Sequence, residues 1–358
     1  MTYRVVVWGT GNAGRPAIRA VAAHRDLELV GVVVSNPAKV GRDAGDLAFI
    51  APLGVLATDD VSVAWADDVD AVVYTATADT RPDDAFADLV ACLRAGANVV
   101  STSFYPLLHP TSAPPPMMEA VERACAEGDS SVFVSGIDPG WALDILPILV
   151  SGVSAGIDEI RVQEIFNYAL YDAPDVVRNV IGFGRSMDET PLMLLDIALE
   201  MVWAPMVRIV AEALGVELDG VATHVERRPL ERTIEVDGMG TFEAGTQGAF
   251  RFEVQGIVAG KALFVVEHVT RIDDDCAPDW PTSTSPGGIH RVKITGHPNL
   301  EVTIHGTEPG EPGAAGGGNA TAANRIVNAI PAVCAAAAGP LSVLDLPPIT
   351  GGAQLRLG

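Results

Sequence analysis

The sequence is short of positive charge, cysteine and uninterrupted hydrophobic runs, and each shortage excludes a class of function. Its 23 Lys and Arg face 46 Asp and Glu across 358 residues, a formal net charge of −23. Such a chain repels the phosphates of nucleic acid and the anionic surface of a membrane. Cys92, Cys125, Cys276 and Cys334 are scattered, with no C-x-x-C pair and no histidine at ligand spacing. Reduced thiols and no metal site are therefore expected, and with no secretory leader before the first apolar strand the expected compartment is the cytoplasm. One stretch, Pro191 to Leu214, has the hydrophobicity of a membrane span, but Asp196, Glu200, Arg208 and Glu212 interrupt it. Those charges are costly in hydrocarbon and Pro205 divides the run, so it reads as one or two buried helices, a candidate subunit contact.

What the chain has is apolar material, 48% of its residues, enough for two domains. It is organised around Val5-Val6-Val7-Trp8-Gly9-Thr10-Gly11-Asn12-Ala13-Gly14-Arg15, a β-branched run that ends in a glycine turn. Gly9, Gly11 and Gly14 have G-x-G-x-x-G spacing: the first permits the sharp turn, the second the approach of a pyrophosphate, the third close helix packing. The phosphates are expected on free N–H groups of a helix starting near Asn12, with Thr10, Ala13 and Arg15 beside them.

The second apolar strand, Leu27 to Val34, ends at Ser35 and Asn36, where an NAD-selective site places an acidic residue against the ribose hydroxyl. Arg15, Lys39 and Arg42 are within reach of a 2′-phosphate there, which an arginine fork can grip with parallel hydrogen bonds. NADP is therefore preferred to NAD. In the alternative reading Lys39 and Arg42 are a solvated pair that Asp43 and Asp46 partly neutralise.

Strand and helix then alternate: 70–75, 82–93, 98–102, 117–127 and 131–134. This rhythm predicts a Rossmann-type, doubly wound parallel sheet with ligands at the carboxyl ends of its strands. Ala76, Thr77, Ser101 and Thr102 lie in such places. Beyond about residue 155, helical stretches (173–185 and 191–214) give way to alternating segments at 233–236, 249–254 and 262–267, the pattern of a mostly antiparallel sheet covered on one side. A flexible run, Gly310 to Gly318, leads into an apolar helix over 320–338. The expected organisation is a dinucleotide-binding domain of 1–140 with 318–346, and an α+β substrate-binding and dimerisation domain of 141–317.

With the glycine turn, Asn98-Val99-Val100-Ser101-Thr102, Ser135-Gly136-Ile137-Asp138-Pro139-Gly140-Trp141-Ala142-Leu143-Asp144 and Thr321-Ala322-Ala323-Asn324-Arg325-Ile326-Val327-Asn328-Ala329-Ile330-Pro331 in matching order, the chain resembles a family. It is similar to the dihydrodipicolinate reductase-like group that includes 2,4-diaminopentanoate dehydrogenase and the native amine dehydrogenases. That resemblance implies an NAD(P)H-dependent oxidoreductase acting on a small ketone, imine or amine, working as a homodimer, with Asn328 of the tail near the cofactor. Two departures stand out. The histidine pair, lysine and Ser-Gly-Thr clamp of true dihydrodipicolinate reductases are missing, and so is the glutamate that amine dehydrogenases carry after the N-V-V-S-T strand. Here that loop reads Ser103-Phe104-Tyr105-Pro106-Leu107-Leu108-His109-Pro110.

The missing carboxylate matters because imine formation from ammonia needs a base for ammonium, an acid to expel water and an anion beside the iminium. Tyr105 and His109 occupy the loop and are the first replacements, with Glu164 a further candidate; Tyr105 as a packing residue and His109 as a turn residue are equally open. His268, ending an apolar strand, matches a pocket histidine of the family and is a third catalytic candidate or a satisfied core residue. Phe104, Trp141, Asn167, Tyr168 and Tyr171 are placed around the substrate or in the core. Asp138, Pro139 and Gly140 form a proline-fixed turn before a helix near Trp141, either offering backbone N–H groups to the nicotinamide or serving as a hinge. Without ammonia activation, the chain is a reductase of carbonyls or preformed imines, or a nucleotide-binding protein without turnover.

Overall fold

The computed structural model describes residues 2–171, 173–309 and 313–355 and divides into two compact units, Met1–Ile137 with Asn319–Gly358, and Asp138–Gly318.

In the first unit, strands β1 (Tyr3–Trp8), β2 (Leu27–Val33), β3 (Ala57–Thr58), β4 (Ala71–Tyr74), β5 (Asn98–Ser101) and β6 (Ser131–Val134) form one sheet with the closing strand Gly339–Leu341. All its pairings are parallel, and the order across the sheet is β3-β2-β1-β4-β5-β6 and then the closing strand. Covered on both faces, such strands are continuous apolar runs rather than alternating ones, and Val5, Val6, Val7, Val72 and Val73 are at most 1% exposed. Helices α1 (Gly14–Ala23), α2 (Ala44–Leu47), α3 (Pro82–Arg94) and α4 (Pro115–Gly128) make the connections. Proline at the start of α3, followed by Asp83 and Asp84 in its first turn, satisfies the geometry and the dipole of a helix N-terminus. The order reverses between β1 and β4, so the glycine turn leaves β1 at the switch point where such sheets bind ligands.

The second unit holds α5 (Ile145–Ser151), β7 (Gly156–Asn167), α6 (Pro174–Asn179), α7 (Asp196–Ala213), β8 (Gly220–Pro229), β9 (Ile234–Val236), β10 (Gly240–Phe242), β11 (Gln247–Val258), β12 (Lys261–Arg271), β13 (Gly288–His297) and β14 (Leu300–Ile304). Its six-stranded sheet runs β14-β13-β7-β12-β11-β8. It is antiparallel except at its centre, where β12 lies parallel to β7. Helix α7 packs on β8, β11 and β12, covering the face that carries Phe252, Phe264 and Val266 as well as His268, while Arg161, Glu253 and Glu267 meet on the other.

Several local expectations need correction. α7 runs unbroken through Pro205: the partner lost to the missing N–H is the carbonyl of Met201, a residue 48% exposed, so water can replace it. The helix expected over 173–185 is only α6, because Gly182 and Gly184 have positive φ. The helix expected near Trp141 begins at Ile145, where the Asp144 side chain accepts its first N–H. Of the run expected to be flexible, Gly310 to Pro312 lie outside the described residues, and α8 (Gly313–Ala335) has begun by Gly313. Among the described residues no helix is long and apolar enough to cross a membrane, and the four cysteines are unpaired.

Candidate active site

The glycine turn is built of two tight contacts around one open place. Gly9 has φ +105°, and a Cβ on it would lie 2.9 Å from Thr75 Oγ1 and 3.0 Å from the Ala76 nitrogen. A Cβ on Gly14 would lie 2.1 Å from the Gly9 carbonyl oxygen, so only glycine lets α1 pack this closely. At Gly11 a Cβ would meet nothing within 4 Å. Protein thus closes on Gly9 and Gly14 and leaves Gly11 bare, as a cradle for a pyrophosphate requires. α1 starts at Gly14 rather than Asn12, and Ala13, its N-cap, makes no side-chain capping bond.

At the end of β2 the Asn36 side chain accepts from Ala38 N at 2.9 Å, which uses it in the local turn, and Ser35 is exposed. Lys39 Nζ donates to the Thr10 carbonyl at 3.1 Å and to Thr10 Oγ1 at 2.9 Å. Burial, then the nearby Arg15 and Arg42, hold the Lys39 pKa below its ordinary value. Asp43 accepts from the backbone of Gly45, Leu53 and Gly54 at 2.7, 2.8 and 2.7 Å, led by the Leu53 bond, and these hold its carboxyl below the usual range. Its carboxylate is thus spent on its own loop.

The other first-unit candidates are more structural. Ser101 is fully buried and donates to the Tyr74 carbonyl at 2.9 Å, tying β5 to β4. Ala76 accepts from Ser103 Oγ at 2.8 Å, while Thr77 is exposed and Thr102 half-buried. Phe104 is 4% exposed and packs against Tyr74 at 5.2 Å, so its ring belongs to the core of the unit. Tyr105 opens a short helical turn, Tyr105–Leu108. The His109 ring lies 2.8 Å from Ser112 Oγ through Nδ1 and 3.0 Å from Thr111 Oγ1 through Nε2, both in its own loop. Asn328 on α8 has a buried Oδ1 with no hydrogen-bond partner among the described residues. Such an acceptor calls for a donor from a ligand or from water.

The second unit gathers a cluster that no local stretch of sequence reveals. β12 and β7 pair in register so that His268 faces Glu164, and β13 places His290 opposite Glu164 on its other side. His268 Nε2 lies 3.0 Å from Asp138 Oδ1, and its Nδ1 is 3.5 Å from Glu164 Oε1. Trp203 Nε1 donates to the same Asp138 oxygen at 2.9 Å. Tyr168 donates to Glu164 Oε1 at 3.0 Å, and His290 Nε2 is 3.6 Å from Glu164 Oε2. The His268 ring is stacked on Phe252, centroids 4.6 Å apart and 11° from parallel, with Trp203 edge-on at 4.9 Å. The Asp138 and His268 side chains are 0% and 2% exposed.

Burial alone would strip the proton from His268, but the charges of Asp138 and Glu164 and the bond to Asp138 outweigh it and raise its pKa. Burial would likewise protonate Asp138; the His268 charge and hydrogen bond prevail and lower its pKa. Tyr168 is held well above its ordinary value by burial, then by Glu164. The surroundings therefore favour the protonated form of His268 beside an ionised Asp138, with the Tyr168 phenol donating to Glu164. Asp138, Glu164 and His268 also bring one ligand atom each within 4.8 Å of the others, but N–H donors already engage Asp138.

The structure regroups the second-unit candidates. Asp138 enters through its side chain rather than through backbone N–H groups, while Pro139, Gly140 and Trp141 form the turn that carries it. Tyr168 and Tyr171 pack together at 5.2 Å. Asn167 parts from them: it caps a turn through Ala169 N, donates to Asp274 at 2.9 Å, and lines a separate polar cavity of about 310 Å³ with Arg271 and Thr282. Trp203 and Phe252 carry no sequence signal because their type suggests core, and His290 stands in an alternating segment, Ile289-His290-Arg291-Val292-Lys293, that does not single it out.

Residues 3–104 match the family described as dihydrodipicolinate reductase, N-terminus, and residues 141–354 that described as 2,4-diaminopentanoate dehydrogenase C-terminal domain. The chain is 53% identical over 344 residues to an amine dehydrogenase of Streptomyces virginiae, covering 96% of this chain and 95% of that one. It is 24% identical over 356 residues to a 2,4-diaminopentanoate dehydrogenase of Acetoanaerobium sticklandii, covering 96% and 93%. In fold it is similar to the structure of an amine dehydrogenase from Mycobacterium smegmatis, with a TM-score of 0.78 over 99% of each chain at 21% identity.

Proposed function

The chain belongs to the dihydrodipicolinate reductase-like family, in its 2,4-diaminopentanoate dehydrogenase and amine dehydrogenase group, and from that membership we propose an NADP(H)-dependent oxidoreductase acting on a small ketone, imine or amine. The observation that carries the reading is 53% identity to an amine dehydrogenase across nearly the whole chain. The bare backbone at Gly11 and the unpartnered Asn328 oxygen fit a bound dinucleotide. When bound, the nicotinamide supplies or accepts the hydride. NADP is favoured over NAD by Arg15, Lys39 and Arg42 gathered at a strand end without a ribose-binding carboxylate, where the Asp43 carboxylate is turned to the backbone N–H groups of its own loop. A homodimer in the cytoplasm is the assembly and compartment we assign.

For proton handling we favour Glu164, His268 and Tyr168 over the loop residues Tyr105 and His109. His109 already has hydroxyl partners at both ring nitrogens. Glu164 is a buried carboxylate with a phenol donor on one oxygen and a histidine beside each. A group of this kind accepts a proton from ammonium and returns it to the oxygen that leaves as water. Asp138 and Trp203 fix the His268 ring, so the stored charge stays next to Glu164.

The test is consumption of NADPH with small ketones, with and without ammonium. Ammonium-dependent turnover supports the amine reading. Turnover equal without ammonium moves the assignment to a carbonyl reductase, a second reading favoured by the absence of the family glutamate from 103–110; reduction of preformed cyclic imines alone points the same way. No turnover with any of them leaves a nucleotide-binding protein.

A further inference from the structure

Phe49 is displayed where most phenylalanines are buried: it is 72% exposed and adopts φ +59°, a left-handed conformation that a bulky side chain rarely takes. The loop that shows it is held from several sides. Besides the three backbone bonds to Asp43, Ile50 N donates to the Gly45 carbonyl at 2.9 Å. A Cβ on Gly45 would lie 2.1 Å from the Ala51 oxygen, so the crossing is as tight as backbone allows. Arg19 Nη1 donates to the Ala48 carbonyl at 3.3 Å, which ties the loop to α1 one residue before Phe49. An unusual backbone angle enforced by its surroundings is the kind of strain that marks a functional position.

The ring so presented lies beside a charge. The Arg15 guanidinium carbon lies 5.4 Å from its centroid, within the range of a cation–π contact, and Arg15 Nη2 is 3.2 Å from Asn12 Oδ1. We propose that Phe49 is a positioning residue for cofactor choice, its ring holding the Arg15 guanidinium in place for the 2′-phosphate of NADP(H). This rests on the NADP reading above. A free arginine on a helix surface samples many rotamers, and holding it in one lowers the entropy lost when the phosphate arrives. Lys39 and Arg42 complete the cationic wall, and Lys39 has its pKa lowered by burial first and then by the charges of Arg15 and Arg42.

The experiment compares NADPH and NADH affinities by fluorescence titration for wild type and for Arg15→Ala, Phe49→Ala, Phe49→Tyr and the Arg15→Ala/Phe49→Ala double variant, each first checked for an intact thermal transition. Arg15→Ala is expected to weaken NADPH about ten- to a hundredfold relative to NADH, the range for a hydrogen bond to a charged group. Phe49→Ala is expected to weaken NADPH about three- to tenfold relative to NADH, in keeping with a partly desolvated cation–π contact. Phe49→Tyr keeps the ring and should restore most of that loss, and in the Arg15→Ala background Phe49→Ala should add nothing. Equal losses for both cofactors on Phe49→Ala would mean that the ring meets the shared adenine, and overturn the proposal. An undiminished effect in the Arg15→Ala background, or none in wild type, overturns it too. If Arg15→Ala itself leaves the NADPH-to-NADH ratio unaltered, the NADP reading fails and this inference with it, an outcome distinct from selective loss at Arg15 alone.

Discussion

Two clusters of buried charge lie on opposite faces of the same six-stranded sheet, and they are built differently. On one face Arg161 Nη1 reaches Glu253 at 2.7 Å and Glu267 at 2.8 Å, Gln163 donates to Glu267 at 2.7 Å, and Arg291 donates to Gln163 at 2.7 Å. Against the opposing effect of burial, hydrogen bonds to Glu159, Glu253 and Glu267 hold the Arg161 pKa above its ordinary value. On the other face, around His268, separations run from 2.9 to 3.6 Å, and Asp138 Oδ2, His268 Nδ1 and His290 Nε2 have no hydrogen-bond partner among the described residues. The first arrangement is an ion-pair network that holds strands together, with Arg251 Nε at its edge, 3.7 Å from Glu267 and without a hydrogen bond among the described residues. The second keeps unspent donors and acceptors, as a site that exchanges protons must.

That contrast can be broken by mutation. The largest effect is expected from Glu164→Gln, which keeps shape and removes the proton acceptor: ammonium-dependent turnover should fall about 10²- to 10⁴-fold, while NADPH still raises the melting temperature. On the opposite face Glu267→Gln should do the reverse. It removes one of the three carboxylates around Arg161 and should cost about 1.5–3 kcal/mol in chemical denaturation, with turnover of the folded fraction little altered. If both variants lose activity and stability in like proportion, the two faces do not differ in role.

A subtler effect concerns pH. His268 has its pKa raised in the fold, so its contribution to stability is complete below the unfolded value of about 6.5 and is lost as pH rises through the folded value. Asp138 has its pKa lowered, so its contribution is present above about 3.9 and lost as pH falls through the folded value. The stability difference between wild type and His268→Asn should therefore be greatest between about pH 4 and 6.5; a difference independent of pH would contradict the stored imidazolium. Smallest of all, Trp203→Phe removes one donor from Asp138 and should cost about 1 kcal/mol in chemical denaturation, with the pH window displaced rather than abolished.

How far the sequence reveals each region follows from how local its chemistry is. The glycine turn is legible because spacing alone dictates which residue must turn, which must stay bare and which must pack, and the parallel sheet is legible because βαβ rhythm is periodic. The His268 cluster draws on residues 138, 164, 168, 203, 268 and 290, brought together by the register of β7, β12 and β13. Glu164 could be named from sequence only as a carboxylate on a strand. The parallel pairing of β7 with β12 that sets it against His268 lies between segments almost a hundred residues apart, and alternation within each strand does not reveal it. Helix limits failed where tertiary context overrode local signals: Pro205 is tolerated where the carbonyl it frees belongs to the exposed Met201, and Gly182 and Gly184 cut short a pattern whose apolar spacing continues.

The most direct test of the central claim is thermal stabilisation of wild type and Gly11→Val by NADPH and by NADH, since a ligand that binds only the native state raises its stability. No protein atom lies within 4 Å of a Cβ at Gly11, so the variant should melt close to wild type without ligand. The account predicts that NADPH raises the wild-type midpoint more than NADH does, and that neither shifts Gly11→Val. A wild-type protein indifferent to both cofactors, or a Gly11→Val protein stabilised as much as wild type, would contradict it.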